Sequence, residues 1–462
     1  MLAGLALTAA LAGCTTAPAA EDAEGRGASP AVSPSPSTPG LTAAAEPSGS
    51  PSGPVAGRAA EPDQPLVIVT HHSDPLDDVS LRRARAIIGR TRPALERATA
   101  RAVVRAVAAE PGRIGVVPLS ALDPGVRVVT VAGVDPAREP DAYPIRTPGA
   151  AAGAEAPVIT LTVVGDLMLG RGVARAAQGA RDPAPSLLPT RARIAAADIT
   201  LGNLESTLSR AGAPTQAEDS FAADPRVVAS LRAAGFDVLG LANNHLGDFG
   251  DRALVQTVRR LRAGGVRTFG AGATVQEAWR PVVLTRRGVR FGFLGFNAIG
   301  ETPPVRPGRP GVVSVGMPPR TGPLDVGELR RFEAAVRGLA AEVDVVVAMP
   351  HWGAQYTNQP EPVQRYVARR LVRAGADVVA GGHPHWLQPA ELVRGRLVAH
   401  SLGNFVFDMD FMQRTMEGAF LELTFWGAEL KAARLVPYVL DDRFAPRVVT
   451  GPRARRVLSL MR

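Results

Sequence analysis

Four short apolar runs in this chain stop abruptly on side chains that suit metal ions, and that pattern constrains the fold more than any other feature. Val158-Ile159-Thr160-Leu161-Thr162-Val163-Val164 leads into Gly165-Asp166, and residues 236–242 lead into Asn243-Asn244-His245. Residues 343–349 lead into Pro350-His351-Trp352-Gly353, and residues 377–380 into Gly381-Gly382-His383-Pro384-His385. Each run is short, mostly β-branched and bounded by Gly, Pro or Asn, which is the pattern of a buried strand. In an α/β sheet, ligands gather at the carboxyl ends of the strands, where these polar residues stand. A di-metal site built on one rim is the first expectation.

Helical patterns at 224–234, 252–263 and 362–374 alternate with the strands and argue for α/β layers. Residues 302–323 form a long Pro/Gly-rich insertion, expected either to close over a site as a lid or to be a mobile surface loop. Runs at 420–425, 432–439 and 447–450 read as antiparallel strands closing a main domain that spans 157–456. Ahead of it lie a small-residue linker (147–156) and a small α/β block at 64–146. That block reads as a strand at 65–69, a helical pattern over 81–108 that Pro93 should break, and strands at 114–119 and 126–131. Its closing stretch, from Val126 to Ile145, resembles the end of one lobe of phosphate-type periplasmic binding proteins. His71-His72 with Asp74 is a weaker metal candidate, since an exposed pair at a strand end usually serves as polar surface.

Residues 1–12 are apolar and small and end in Leu11-Ala12-Gly13-Cys14, which matches the bacterial lipobox. Cys14 is the only cysteine, so no internal disulfide can form, and it stands where lipid would attach. No Lys or Arg precedes the apolar run, unlike an ordinary signal peptide, and the run is too short to span a bilayer. Residues 1–14 therefore read as a lipoprotein signal with its lipidation site. Residues 15–63, rich in Pro, Ser and Ala, cannot bury enough apolar surface to fold and read as a disordered tether. The expected location is extracytoplasmic, on the cell envelope, anchored to the membrane through Cys14. The formal charge of +9 comes almost wholly from Arg, with Lys431 the sole lysine. There is no run of five Arg and no basic stripe with interleaved aromatics, which argues against a nucleic-acid partner.

The strand-end residues form a coherent donor set. Divalent ions in hydrolases take carboxylate, imidazole and amide-oxygen ligands. Asp166 and Glu205 offer carboxylates, Asn244 an amide oxygen, and His351, His383 and His385 imidazoles. His245 is then left to protonate a leaving group. Asn203, Asp248, Trp352, Gln355, Ser401 and Asn404 flank the cluster as candidate supporting or substrate-facing residues.

Six ordered motifs carry a resemblance: Gly165-Asp166-Leu167-Met168, Gly202-Asn203-Leu204-Glu205, Ala242-Asn243-Asn244-His245 with Asp248, His351-Trp352-Gly353, Gly382-His383-Pro384-His385, and Ser401-Leu402-Gly403-Asn404-Phe405-Val406-Phe407. Together they resemble the metallophosphatase superfamily, and within it the CapA (PgsA-type) capsule and poly-γ-glutamate synthesis family. The resemblance implies a four-layer sandwich of two mixed sheets flanked by helices. It also implies one or two divalent ions (Mn, Zn, Fe or Mg) and a part in making, exporting or attaching an anionic polymer, alone or within a synthesis/export complex. Three positions depart from the pattern. Met168 replaces a histidine of the phosphatases, Asn203 stands where a bridging aspartate is expected, and Gln355 takes the place of a glutamate. Two roles stay open: a metal-dependent hydrolase, or a non-catalytic subunit that binds polymer.

Overall fold

The computed structural model describes residues 64–95, 99–146 and 156–462. The lipobox, Cys14 and the tether lie outside these residues. Among the described residues, no helix is long and apolar enough to cross a membrane.

The apolar runs become strands of two sheets packed face to face. The larger sheet has eight strands; its parallel half consists of Val158–Leu167, Ile199–Leu204, Val238–Gly240 and Arg267–Phe269. Its antiparallel half is Glu417–Trp426, Glu429–Leu440 and Pro446–Val448, the runs expected as closing antiparallel strands, and the eighth strand, Asn404–Val406, pairs parallel with Val158–Leu167. The smaller sheet has six strands. Val289–Asn297, Val345–His351, Val378–Ala380 and Arg396–Leu402 run parallel, with antiparallel strands Val282–Arg286 and Leu387–Val393 at its edges. Strands buried on both faces need no polar alternation, which explains their near-continuous Val, Ile and Leu content.

Apolar side chains sort into three layers of core. Ile159, Leu161 and Val163 of one sheet meet Phe291, Phe293 and Val347 of the other between the sheets. Phe291 and Phe425 pack edge to face across that interface, with centroids 5.3 Å apart. Helices Val227–Ala233 and Gly250–Ala263 cover the outer face of the larger sheet through Val227, Leu231, Leu254 and Val258. Helices Val326–Ala340 and Pro362–Ala374 cover the smaller sheet through Leu329, Phe332, Val367 and Leu371. The result is the expected helix–sheet–sheet–helix sandwich.

The helical pattern over 81–108 breaks near Pro93, as the sequence indicates, with the helix Leu81–Leu95 ending two residues past it and a second helix at Ala100–Ala109. Elsewhere the structure differs from the sequence reading. Residues 302–323 are stitched into the body rather than hanging as a lid or loose loop. Gly311–Val312 pairs with Ala271–Gly272, and Val313, Val315 and Met317 are buried among the helices. Their apolar spacing, hidden among prolines and glycines, is what anchors the segment. The helix Gly451–Ser459 runs across the boundary expected at 456 and packs Val457 and Leu458 between the sheets.

Residues 64–146 form an antiparallel three-stranded sheet in which Leu66–Thr70 lies between Ile114–Pro118 and Arg127–Val128. Val67, Val69 and Val117 pack with Ala432 and Trp426 of the larger sheet. Arg127, wholly buried, donates to Leu435 O at 2.7 Å and to Asp77, which also accepts from Arg434 at 2.7 Å. Trp426 Nε1 donates to Ala137 O at 2.8 Å. The His71-Asp74 turn is occupied otherwise than by metal binding: His71 Nδ1 bonds Ser73 Oγ at 2.8 Å, and the Asp74 carboxylate accepts from Gly112 N.

Replacing Arg127 by Met removes the buried donor and leaves Leu435 O unpaired. The expected loss is about 1–3 kcal/mol in chemical denaturation. A variant as stable as the parent would show that Arg127 does not dock the block.

Candidate metal centre

The carboxyl ends of the parallel strands in both sheets converge on one buried spot. Asp166 pairs in register with Asn203 and with Asn404, and Asn203 with Gly240, so the larger sheet brings the acidic and amide groups. His351 ends its strand in register with Asn297 and bridges Gly382, so the smaller sheet brings the imidazoles. Two glycines permit the approach. A Cβ on Gly165 would lie 1.9 Å from Gly403 O, blocking the segment that carries Asn404. One on Gly382 would lie 2.4 Å from Asp166 Oδ1. His383 and His385 both hold left-handed backbone, at φ 94° and 58°. Non-glycine residues persist there only where the surroundings fix them, commonly at functional sites.

Asp166 is clamped from both sheets: Oδ1 accepts from Asn203 Nδ2 at 2.8 Å, and Oδ2 from the backbone N of His383 at 3.0 Å. Ligand atoms of Glu205, His383 and His385 lie within 4.8 Å of one another. His351 Nε2 sits 2.9 Å from Asn244 Oδ1 and 2.8 Å from Glu205 Oε1, the latter without hydrogen-bond alignment. Both oxygens of Glu205 and both ring nitrogens of His383 are buried with no hydrogen-bond partner. Unpaired buried groups of this kind are costly and rare, and each calls for a partner. A divalent cation bound by N and O ligands answers all of them, so the residues present fit a metal.

Electrostatics point the same way. Burial, reinforced by Glu205, pushes the Asp166 carboxyl up to about 7. Burial pushes Glu205 up to about 8, with His245 opposing and Asp248 and Glu301 adding to the rise. Burial drives His351 down to about 4 and His385 to about 3, and holds His383 well below the usual imidazole range. Burial holds each group toward its neutral form, and neutral imidazole is the form that binds a metal ion.

Surrounding residues orient the donors. His385 Nδ1 donates to Asn404 Oδ1 at 2.9 Å, and Asn404 is itself fixed by donating to Thr415 O at 3.0 Å, so Nε2 of His385 keeps its lone pair. Asn244 Nδ2 donates to Glu301 Oε2 at 2.7 Å, which turns Oδ1 toward His351. Asn243 ties the larger-sheet ends together, donating to Asn203 Oδ1 at 3.0 Å and to Leu204 O at 2.7 Å. His245 stacks on Phe221 at 3.7 Å and donates from Nδ1 to Asp248 Oδ2 at 2.9 Å. Asp248 also accepts from Phe221 N and Gln216 Nε2, so it meets only donors, as an ionised carboxylate requires.

Asp166, Glu205, Asn244, His245, His351, His383 and His385 thus come together, with Asn203, Asp248 and Asn404 bracing them. Trp352 does not face the site: it is fully buried beside Phe296 and donates Nε1 to His400 O at 3.0 Å, supporting the Gly381-Gly382 approach from behind. Ser401 is buried and its hydroxyl caps Gly403 N at 3.2 Å, a turn rather than a substrate contact. Gln355 is half-buried and makes no side-chain hydrogen bond among the described residues. Met168 is a core side chain whose sulfur accepts from Gly170 N. Sequence reading missed Glu301, which lies at the edge of the insertion, and Asn243, whose role depends on strand register.

A family model described as the bacterial capsule synthesis protein PGA_cap matches residues 160–409, more than half the chain. The chain belongs to that family. A capsule biosynthesis protein CapA of Bacillus anthracis is 31% identical over 57% of this chain and 63% of its own length. A PGA biosynthesis protein CapA of Bacillus subtilis is 30% identical over 57% of this chain and 67% of its own. A probable polyglutamine synthesis accessory protein of Mycobacterium tuberculosis is 31% identical over 46% and 57%, respectively. The chain therefore spans a little under two thirds of the first of these relatives. Solved structures of a hypothetical protein from Thermus thermophilus and a novel phosphatase from Mycoplasma pneumoniae align at TM-scores of 0.36 and 0.37 and 17% and 10% identity. They cover 64% and 65% of this chain and 100% and 97% of their own. The six motifs, from Gly165 to Phe407, all lie inside the family match.

A carboxyl with a raised folded pKa stabilises the fold at low pH and loses that contribution as pH rises through the folded value. The buried imidazoles run the other way: their contribution is complete above 6.5 and fades as pH falls toward 4. Between pH 6.5 and 8 only Asp166 and Glu205 still change. The ion-free protein should therefore melt at falling temperature across that window. A divalent ion should abolish the fall and release protons on binding, with both effects lost in His383→Ala and His385→Ala. Parallel melting profiles with and without ion would rule out a metal at this centre.

Proposed function

We propose that this chain acts outside the cytoplasm in making, exporting or attaching an anionic capsule polymer of the poly-γ-glutamate kind, and that its centre is a metal-dependent hydrolase site. Membership of the capsule-synthesis family and the capsule and PGA biosynthesis for which the Bacillus relatives are named support the polymer. The observation that carries the hydrolase reading is the cluster of buried, unpaired donors on Glu205 and His383 beside an oriented His245–Asp248 pair.

In this reading Glu205, His383, His385, His351, Asn244 and Asp166 hold one divalent ion, or two. The ion supplies Lewis-acid polarisation of a phosphoester or γ-amide. Asp248 fixes the His245 ring with its Nδ1–H toward the carboxylate, so a proton taken up at Nε2 is the one His245 would pass to the leaving group. Phe221 stacked on the ring holds its plane. Burial of the site keeps bulk water from screening these charges.

A second reading, a non-catalytic subunit whose centre binds polymer carboxylates, is favoured by Met168 and Asn203. One is a core thioether and the other a neutral amide where the phosphatase pattern has ligands. Membrane attachment through lipid on Cys14 belongs to both readings.

Turnover of a generic phosphodiester or of poly-γ-glutamate should fall by about 10²-fold or more in His245→Ala with bound metal unchanged. Polymer binding without turnover in the parent protein would select the second reading. Cys14→Ser should move the protein from the membrane to the soluble fraction of cells; retention on the membrane would end the lipoprotein reading.

A further inference from the structure

A row of aromatic side chains leads outward from the metal centre to an arginine. Tyr356 lies 6.2 Å from His385, ring to ring, and 6.2 Å from Trp386. Phe411 meets Tyr356 edge-on at 5.8 Å, and the Arg414 guanidinium sits 4.8 Å above Trp386. Tyr356 is held at φ 61°, and its backbone N donates to Pro384 O at 2.9 Å, so the turn carrying both centre histidines also sets this ring. Its hydroxyl makes no hydrogen bond among the described residues. An aromatic residue in left-handed backbone is strained by roughly 1–3 kcal/mol, a cost tolerated mostly where the side chain's placement matters.

Two further observations mark this row as a contact surface. Phe411 is 60% exposed and the adjacent Met412 38%, so an apolar ridge faces solvent directly beside a buried polar centre. The three arginines near the centre also differ in their partners. Arg171 is tied to Asp408 and Asp219, and Arg320 to Glu301. Arg414 has only the neutral amide of Asn358 and the indole face of Trp386, with no carboxylate at ion-pair distance among the described residues. The buried Glu417 feels its charge but is itself ion-paired with Arg456, so Arg414 is oriented without a carboxylate partner of its own.

We propose that Tyr356, Trp386, Phe411 and Arg414 form a subsite that holds a carboxylate-bearing polymer chain as it enters the metal centre. Arg414 pairs with a carboxylate of the chain, and the Tyr356–Phe411 ridge covers the methylene groups between carboxylates. The choice of occupant follows from the unmatched cation flanked by apolar surface, and from continuity with the centre. It rests on the polymer reading above, and it assigns the recognition to residues outside the metal ligands.

The test is calorimetric titration of the whole soluble chain with γ-linked glutamate oligomers, a dimer and a decamer. The parent should bind the decamer more tightly than the dimer. Phe411→Ala and Arg414→Gln should each weaken the decamer roughly 3–20-fold and leave the dimer, the metal content and the melting temperature unchanged. Both side chains are exposed, so loss of folding is not expected. Equal weakening of both oligomers, no weakening, or no decamer binding by the parent would each overturn the subsite. A parent dimer that Phe411→Ala dissociates without altering decamer binding would identify a second copy of the chain as the occupant and overturn it as well. Length-dependent binding without turnover leaves the subsite standing and removes the hydrolase reading. Turnover with length-independent binding does the reverse.

Discussion

The contact on which this molecule's chemistry depends is the grip on Asp166. One carboxylate, at the end of Val158–Leu167 in one sheet, accepts a hydrogen bond from Asn203 of its own sheet and another from the backbone of His383, just beyond the strand Val378–Ala380 of the other. A buried carboxylate is expensive unless bonded, and these two donors stabilise it only if the two sheets meet in one register. The face-to-face packing of Ile159, Leu161 and Val163 on Phe291, Phe293 and Val347 supplies that register. Core packing and site geometry are therefore one constraint seen from two sides.

The division of labour between the sheets follows from it. The larger sheet carries Asp166, Glu205 and Asn244, and the smaller carries His351, His383 and His385. Neither half alone could bind an ion tightly. Left to itself, the assembled centre is held near neutrality by burial, with the carboxyls pushed up and the imidazoles down. An ion is the one guest that favours ionised carboxylates and neutral imidazoles at once.

Much of this was legible in the chain because strand-end ligands are local: a short β-branched run followed by Asp166, Asn244 or His351 names both the element and the side chain it presents. What stayed hidden depended on contacts far apart in sequence. Asn404 orients His385 across 19 positions, and Glu301 orients Asn244 across 57. Trp352 and Ser401 stood as candidate supporting or substrate-facing residues, but both are buried, Trp352 donating to His400 O and Ser401 accepting from Gly403 N. The insertion read as loose because its prolines and glycines mask Val313, Val315 and Met317, whose burial only the packed helices reveal. Pro93 was legible as a break: the helix Leu81–Leu95 ends two residues beyond it and the next begins at Ala100.

The departures from the phosphatase pattern are best weighed as charge. Asp248 takes its hydrogen bonds from His245, Phe221 and Gln216, and Glu301 pairs with Arg320. Asp166 and Glu205 are the carboxylates whose close basic neighbours are the imidazoles of the centre itself, His385 at 3.8 Å and His351 at 2.8 Å. A third carboxylate at 203 would sit against Asp166, where the present asparagine instead donates a hydrogen bond. With like charges crowded in a buried site, at least one would stay protonated. Asn203 therefore trades a ligand for a donor and keeps Asp166 available, and the two remaining carboxylates match the charge of one divalent ion. Seen this way, the amide at 203 and the thioether at 168 reduce the charge and the ligand count of the centre together, and His383 with Glu205 is where its unmet demand is concentrated.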